Sequence, residues 1–337
     1  MSQTAKQIRP KTLDDFIGNK KAIELVKDRI NVCKTLNKTF PHSLIVGPAG
    51  HGKTLLAELI STELNAEFIY VNSTSVTDPI SFRELMRQAV LHDKSVIMLD
   101  EFHELAKKVR ANSLSLLEYP SILCTPGLVD LHSNQIKPKL GAITKEELPD
   151  GVTFICATNY IANIEETIIT RLMEIRLFEY SLEDKAEIAK TALARAKMQI
   201  TDSASKEIAK RSKDARGISK VCEMLADAAT ILGNTQIVLD SVLNVFGKLG
   251  IDENGCGQIE HSYMRYLAEM GKASAESIAA FLHLNRKDIV AKIEPFLIRK
   301  NFVMISSSGR HLTEKGYIAI GYNPTNKQTS GGVAKLK

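Results

Sequence analysis

The octapeptide GPAGHGKT, from Gly47 to Thr54, constrains this chain more than any other stretch of it. Its spacing is G-x-x-x-x-G-K-T, with the apolar run HSLIV before it and the helix-like KTLLAELISTELN after it. A strand, a glycine-rich turn and a helix in that order make a phosphate cradle. The glycines let the backbone curl so that successive N–H groups face one anion, and the helix N-terminus adds its dipole. Gly47, Gly50 and Gly52 supply the curl, Lys53 a charge for the β- and γ-phosphates, and Thr54 a hydroxyl for Mg2+. ATP and Mg2+ are the expected ligands.

Hydrolysis needs more than a cradle. Val96 to Leu99 form an apolar run ending in Asp100 and Glu101; a buried strand tip would hold Asp100 in the Mg2+ shell and let Glu101 orient water. Two solvated acids after a strand look the same in isolation, and the P-loop upstream favours the catalytic reading. In CATN, Cys156 to Asn159, another core strand ends in an amide suited to positioning water, though Asn159 also fits a plain turn. Arg171 lies between the helical segment IEETIIT and the strand MEIRLFEY. It fits a guanidinium that neutralises a transferring phosphoryl group at a neighbouring subunit's site, and by position alone it also fits a surface ion pair.

Around these motifs the pattern alternates. Strands are expected at HSLIVG, FIYVNS, SVIMLDE, VTFICATN and MEIRLFEY, with helices from Leu13 to about Asn37, at KTLLAELISTELN and at PISFRELMRQAVLH. Such alternation implies an α/β domain with a parallel sheet covered on both faces. The block from Tyr119 to Asp150 has little periodicity and reads as an irregular insertion or hairpin. After Tyr180 the segments are amphipathic helices with no strong strand between them, a small helical domain. From about Gly255 the order becomes helix, helix, helix, hairpin, as in a winged helix-turn-helix. Arg286, Lys287, Lys292, Arg299, Lys300, Arg310 and His311 gather in its recognition helix and wing. A solvated face or a protein-interaction module is the plain alternative to DNA contact there.

Composition bounds the rest. At 337 residues with 44% hydrophobic content the chain can fill two or three cores. Its longest apolar stretches fall far short of the roughly 18 residues that span a bilayer, and MSQTAKQIRPK has no signal core, so a cytoplasmic location is expected. The five cysteines are scattered and never spaced CxxC, which indicates neither a disulfide framework nor a zinc site. A net charge of +5 permits a nucleic-acid partner without requiring one.

Taken together, these segments resemble the RuvB family, AAA+ motors of Holliday-junction branch migration. The similarity starts at IRPKTLDDFIGNKKA and continues through GPAGHGKT, MLDEFHEL, CATN, TRLMEIRLFEY, ARGISK and IEPFLIRKNFVMISSSGRHLT, reaching about Gly321. It implies an AAA+ P-loop ATPase domain over 1–180, a helical lid over 181–254, a winged-helix DNA-binding domain over 255–322 and a disordered tail over 323–337. It further implies a homo-oligomeric ring, hexameric, acting on duplex or four-way-junction DNA with a RuvA-like junction-binding partner and no membrane.

Carried onto this sequence, the resemblance implies that Ile8 and Arg9 approach the adenine end, and that Gly50, Lys53, Thr54 and Leu55 hold phosphates. Asp100 and Glu101 handle metal and water, Arg171 is the trans-acting finger, Tyr180 contacts the nucleotide and Arg310 contacts DNA. Several positions depart from the pattern. Lys220 stands where the family has its sensor-2 arginine, Ile169 and Ile305 replace other family arginines, and the block from Tyr119 to Asp150, where the family carries its RuvA-binding hairpin, matches poorly. The expected function is ATP-dependent branch migration. A clamp-loader-like assembly switch and a DNA-binding regulator without turnover are the other classes; intact Lys53, Asp100 and Glu101 argue against the regulator.

Overall fold

In the computed structural model, which describes residues 2–78, 81–82, 85, 88–89, 91–105, 121–124, 144–147 and 151–322, each apolar run of the first half becomes a strand of one sheet. The chain divides into two compact units. One comprises Ile8–Ile188 with Asp214–Arg216; the other holds the described parts of Met1–Gln7, Ala189–Lys213 and Gly217–Lys337.

The first unit is the α/β part. Helices α1 (Gln3–Ile8, which ends in it), α2 (Lys20–Leu36) and α3 (Lys53–Leu64) accompany strands β1 (Ser43–Val46), β2 (Glu67–Asn72) and β3 (Ser95–Asp100). A short antiparallel pair follows, β4 (Ser121–Cys124) with β5 (Thr144–Glu147), so the described part of the irregular block is a hairpin-like ladder. Strand β6 (Val152–Thr158), helix α4 (Glu166–Ile169) and strand β7 (Met173–Arg176) complete the unit. The sheet order is β2-β3-β6-β1-β7 with every pairing parallel. All seven residues of β6 are buried, as a central strand covered on both faces requires. Alternate residues feed two cores: Leu44, Ile97, Leu99 and Phe154 on one face, Ile45, Val96, Met98 and Ile155 on the other.

One expectation shifts. The helix expected from Leu13 starts only at Lys20, because Leu13–Asp15 is a separate 3-10 turn and Gly18 and Asn19 take left-handed φ of 73° and 50°. That break has a cause: a Cβ on Gly18 would lie 2.8 Å from the Tyr180 ring. For the helix expected over Pro79 to His92, the described residues Ser81, Phe82, Leu85, Gln88 and Ala89 are helical, and Phe82, Leu85 and Ala89 are buried.

The second unit begins within α5 (Leu182–Arg195). It continues with β8 (Gln199–Ile200), α6 (Asp202–Arg211), α7 (Ala215–Ile231), β9 (Gln236–Ile237) and α8 (Leu239–Leu249). The helical stretch thus contains a small parallel ladder, β8 with β9, that amphipathic periodicity hides. The N-terminal residues belong with these helices: Thr4 Oγ1 donates to Asp227 Oδ1 at 2.6 Å and the Ser2 hydroxyl to Glu223. Then come α9 (Gln258–Met270), α10 (Ala275–Leu282), α11 (Arg286–Asp288), α12 (Glu294–Arg299), β10 (Val303–Ser306), β11 (Gly309–Leu312) and α13 (Glu314–Ala319), the order of a winged helix. Between α11 and α12, Ile289–Ile293 form a π turn. Pro295 has no N–H to give and its ring crowds the preceding turn, so the helix widens there.

Cys33, Cys156, Cys222 and Cys256 are free and buried. Among the described residues no helix is long and apolar enough to cross a membrane. The tail expected to be disordered, 323–337, lies outside the described residues.

Candidate functional site

Strand β1 sits between β6 and β7, so the sheet order reverses at its carboxyl end and a crevice opens where the P-loop begins. Gly50 and Gly52 adopt φ of 75° and 90°, and Lys53 opens α3 directly after Gly52. No other residue fits these places. A Cβ at Gly47 would stand 2.7 Å from Leu177 O, one at Gly50 only 2.2 Å from the Asp214 carboxylate, and one at Gly52 about 3.0 Å from the Phe16 ring. Lys53 Nζ donates to Gly47 O at 2.9 Å and to Pro48 O at 3.0 Å, inside the loop. Burial lowers the Lys53 pKa, Asp100 and Glu101 draw it back up, and the charge of Arg216 lowers it further. The ammonium is therefore held by neutral carbonyls that an arriving phosphate can replace, as a nucleotide cradle demands. Leu55 lies half-buried in the first turn of α3.

The parallel register aligns the strand tips. Asn72 pairs with Asp100, Leu99 with Cys156 and Val46 with Thr158, so β6 delivers Asn159 between the P-loop strand and the acidic strand. Asp100 is fixed on both oxygens: Oδ1 accepts from Glu101 N at 3.0 Å and Oδ2 from Tyr70 Oη at 3.1 Å. Glu101 has φ 52°, a left-handed conformation costly for a residue with a Cβ and the kind of strain that gathers at working sites. Asn159 Oδ1 is buried with no hydrogen-bond partner among the described residues, an acceptor in search of a donor. Water or a phosphate-bound proton would supply one.

The other expected residues fall as follows. Ile8 is buried, and Arg9 pairs with Glu58 of α3 at 2.5 Å. Tyr180 stacks on His51 of the P-loop with centroids 5.3 Å apart and donates to His51 O at 3.1 Å; burial pushes its phenol pKa up. The Arg171 guanidinium donates to Thr167 O in the turn of α4. Lys220 is exposed on α7, in the second unit. One turn earlier on the same helix, Arg216 belongs to the first unit, and its charge reaches both Lys53 and Tyr70. Sequence reasoning missed Arg216, Asp214, Tyr70 and His103. Arg216 lies inside the ARGISK segment and His103 inside MLDEFHEL, so position next to a known motif was the available signal.

The donor set fits a magnesium nucleotide. Among the described residues no cluster of three or more His, Cys, Asp or Glu could cage a metal, and Mg2+ is commonly bound by one or two carboxylates plus substrate phosphates. The Thr54 hydroxyl and the Asp100 carboxylate are such a partial set.

In the wing Arg310 rests in an ion pair. Arg310 does not extend its guanidinium into solvent: Nε donates to Glu294 Oε1 at 2.8 Å and Nη2 to Glu294 Oε2 at 3.2 Å. Glu294 is 1% exposed and also accepts from Tyr263 Oη at 3.1 Å. The hydrogen bonds from Arg310 to Glu294 raise the Arg310 pKa. The backbone of Arg310 is equally committed, paired to Ile305 on one side and bridged to Ala273 on the other. A carboxylate buried this deeply needs a cation, and Arg310 supplies it. Arg286, Lys287, Lys292 and Arg299 lie on the helical side of the domain and all four are exposed.

Residues 43–180 match the family of ATPases associated with various cellular activities (AAA), and residues 253–321 match the RuvB C-terminal winged helix domain. The Holliday junction branch migration complex subunit RuvB of Fervidobacterium nodosum is 30% identical over 326 residues, covering 94% of this chain and 89% of that protein. The same subunit of Mycoplasmopsis pulmonis is 29% identical over 92% of this chain and 96% of its own length. The solved structure of the Thermotoga maritima RuvB Holliday junction branch migration motor superposes with a TM-score of 0.77 at 24% identity, covering 94% of this chain and 99% of that one.

Proposed function

The chain belongs to the RuvB family, and from that membership we propose that it is a motor that uses ATP to move the branch point of Holliday-junction DNA. As a member it is an AAA+ ATPase. The observation that carries the proposal is the union, in one chain, of a phosphate cradle and an acidic strand tip at the carboxyl ends of the central strands with a winged helix of RuvB type.

The residues divide the work. Lys53, with the N–H groups of the loop from Gly47 to Gly52, binds and orients the triphosphate; Thr54 and Asp100 hold the metal, and Tyr70 keeps Asp100 aimed. Mg2+ held there would supply positive charge against the triphosphate. Glu101 orients the attacking water, and Asn159 Oδ1 accepts one of that water's protons in a hydrogen bond. Tyr180, Ile8 and Arg9 border the base side, Leu55 backs the first turn of α3, and Arg216 and Lys220 are both cations of the α7 end. Arg171 completes the site of the next subunit in a ring, taken to be a hexamer, so isolated subunits turn over slowly.

Domain roles follow the expected boundaries, with 1–180 as the ATPase domain, 181–254 as the lid and 255–322 as the DNA-contacting winged helix. Arg286, Lys287 and Arg299 grip phosphates without reading sequence, as a translocating protein requires, while Arg310 holds the wing in shape for them. A RuvA-type partner brings the ring to the junction.

The test is strand exchange on a synthetic four-way junction with ATP and a RuvA-type protein, wild type against Glu101→Gln. Wild type should migrate the branch, and the variant should bind ATP and DNA but stall. Few turnovers per event with no strand exchange would move the chain to the assembly-switch class.

A further inference from the structure

Directly after Glu101 the chain makes a 3-10 turn, Phe102–Glu104, closed by Glu104 N to Glu101 O at 2.8 Å and anchored by Phe102, which is 1% exposed. This turn carries His103 inward. Its side chain is 7% exposed, and Nδ1 lies 3.0 Å from Thr158 Oγ1 and 3.6 Å from Glu101 Oε2, with Glu104 Oε1 at 3.7 Å from Nε2. The ring meets Tyr160 edge-on, with centroids 5.1 Å apart at 74°. Thr158 Oγ1 also accepts from Tyr160 N at 3.0 Å, which leaves the hydroxyl proton available to Nδ1. One imidazole therefore touches residues on both sides of Asn159 and borders the carboxylate of Glu101. Nothing else in the hydrolytic scheme above uses it.

We propose that His103 is a positioning residue for hydrolysis, locking Glu101 to the Thr158–Tyr160 strand end so that the water-orienting carboxylate and the Asn159 amide keep one fixed separation. The physical need is specific to this place. Glu101 sits in a strained left-handed conformation with its side chain 43% exposed, so its backbone alone does not fix the carboxylate. Asn159 lies just past the last residue of β6, outside the paired register of the strand. Water activation needs both groups on one oxygen at once, and a buried ring hydrogen-bonded to one strand end and packed beside the other's acid supplies the missing restraint. Binding of ATP rests on Lys53 and the P-loop, while the polar partners described for His103 are Thr158, Glu101 and Glu104.

This coupling rests on the site being an ATPase, and the experiment separates the two. Steady-state ATP hydrolysis by the full chain with junction DNA is measured alongside the Kd of a fluorescent ATP analogue, for His103→Ala, Thr158→Val, His103→Asn and the double variant His103→Ala/Thr158→Val. Each of the first two should lower kcat by about 10²-fold, the cost of a small misplacement of reacting groups, with nucleotide affinity changed less than about twofold. The double variant should be no worse than the single ones, because both break one link. His103→Asn, which can still meet the Thr158 hydroxyl, should recover part of kcat, and a rescue of this kind is not expected from a purely structural role. Unchanged kcat in His103→Ala, multiplying losses in the double variant, or a parallel loss of nucleotide binding would each overturn the coupling. A wild type that binds the analogue but never hydrolyses ATP would overturn the ATPase reading itself.

Discussion

Lys53 and Arg310 are both cations that the family resemblance assigned to a ligand, Lys53 to phosphate and Arg310 to DNA, and the structure holds them in opposite ways. Lys53 is tied to two neutral carbonyls of its own loop, partners that cost little to exchange for an anion. Arg310 is tied by two charge-assisted bonds to a carboxylate that is 1% exposed, and drawing it away would strand a charge inside the domain. A basic residue in the right motif can thus serve a ligand only where its resting partner is weak. At the P-loop charge is held in reserve, and in the wing it neutralises a buried carboxylate.

The largest way to break this contrast is at the ion pair. Arg310→Ala should destabilise the winged helix by about 3–5 kcal/mol, the cost of leaving a buried charge unpaired, seen as an early transition in urea unfolding of the full chain. ATP turnover without DNA should hold. Replacing both partners, Glu294→Leu with Arg310→Met, should restore most of the stability, since no charge is then left buried. Were Arg310→Ala as stable as wild type but weak on DNA, the guanidinium would be a DNA ligand after all and the contrast would fail.

At the other end, Lys53→Ala should cut ATP turnover by about 10² to 10³-fold, the range for removing one preorganised donor, while the unfolding profile stays near that of wild type. Stability lost here as at Arg310 would mean that Lys53 is also a structural cation.

How far the sequence could carry this contrast depends on distance along the chain. The cradle was legible because its eight residues are contiguous and sit between a strand and a helix, with local φ demanding glycine at Gly50 and Gly52. Asp100, Glu101 and Asn159 were legible as the polar ends of apolar strands, and the register that brings them together follows from the parallel order. The partner of Arg310 was not, since Glu294 lies 16 residues from Arg310 and 31 from Tyr263, and no local pattern announces a buried carboxylate. Tyr70 and Arg216 were hidden for the same reason, reaching Asp100 and Lys53 only through the fold. The break at Gly18 could not be foreseen either, because the clash that demands glycine is with Tyr180, far along the chain.

A third measurement sharpens the comparison through pH. His42 Nδ1 accepts from Phe154 N at 3.0 Å, and burial lowers its pKa from the ordinary 6.5 to about 4. The folded state keeps it neutral where the unfolded chain would already take a proton, so its contribution is complete above pH 6.5 and drains away as pH falls towards 4. The unit that carries the ATP site should lose about 2 kcal/mol between pH 7.5 and pH 5 from this residue alone. His42→Gln should flatten that loss in urea midpoints, and an equal fall in the variant would place the acid sensitivity elsewhere.

The smallest effect tests where the wing's usable charge resides. Arg286 meets Glu276 at 2.7 Å, but both side chains are about two-thirds exposed, so the pair contributes little to stability and is readily traded for a phosphate. Lys287 is exposed beside it. Replacing both by alanine should leave the unfolding transition of the domain in place and reduce the salt slope of DNA binding by about 2, one for each phosphate no longer neutralised, uniformly across DNA sequences. This is the inverse of the Arg310 result, where folding suffers first and affinity follows from it. If the double alanine variant kept its full salt slope, the phosphate grip would have to lie elsewhere on the domain, and exposure together with weak pairing would not be enough to find it.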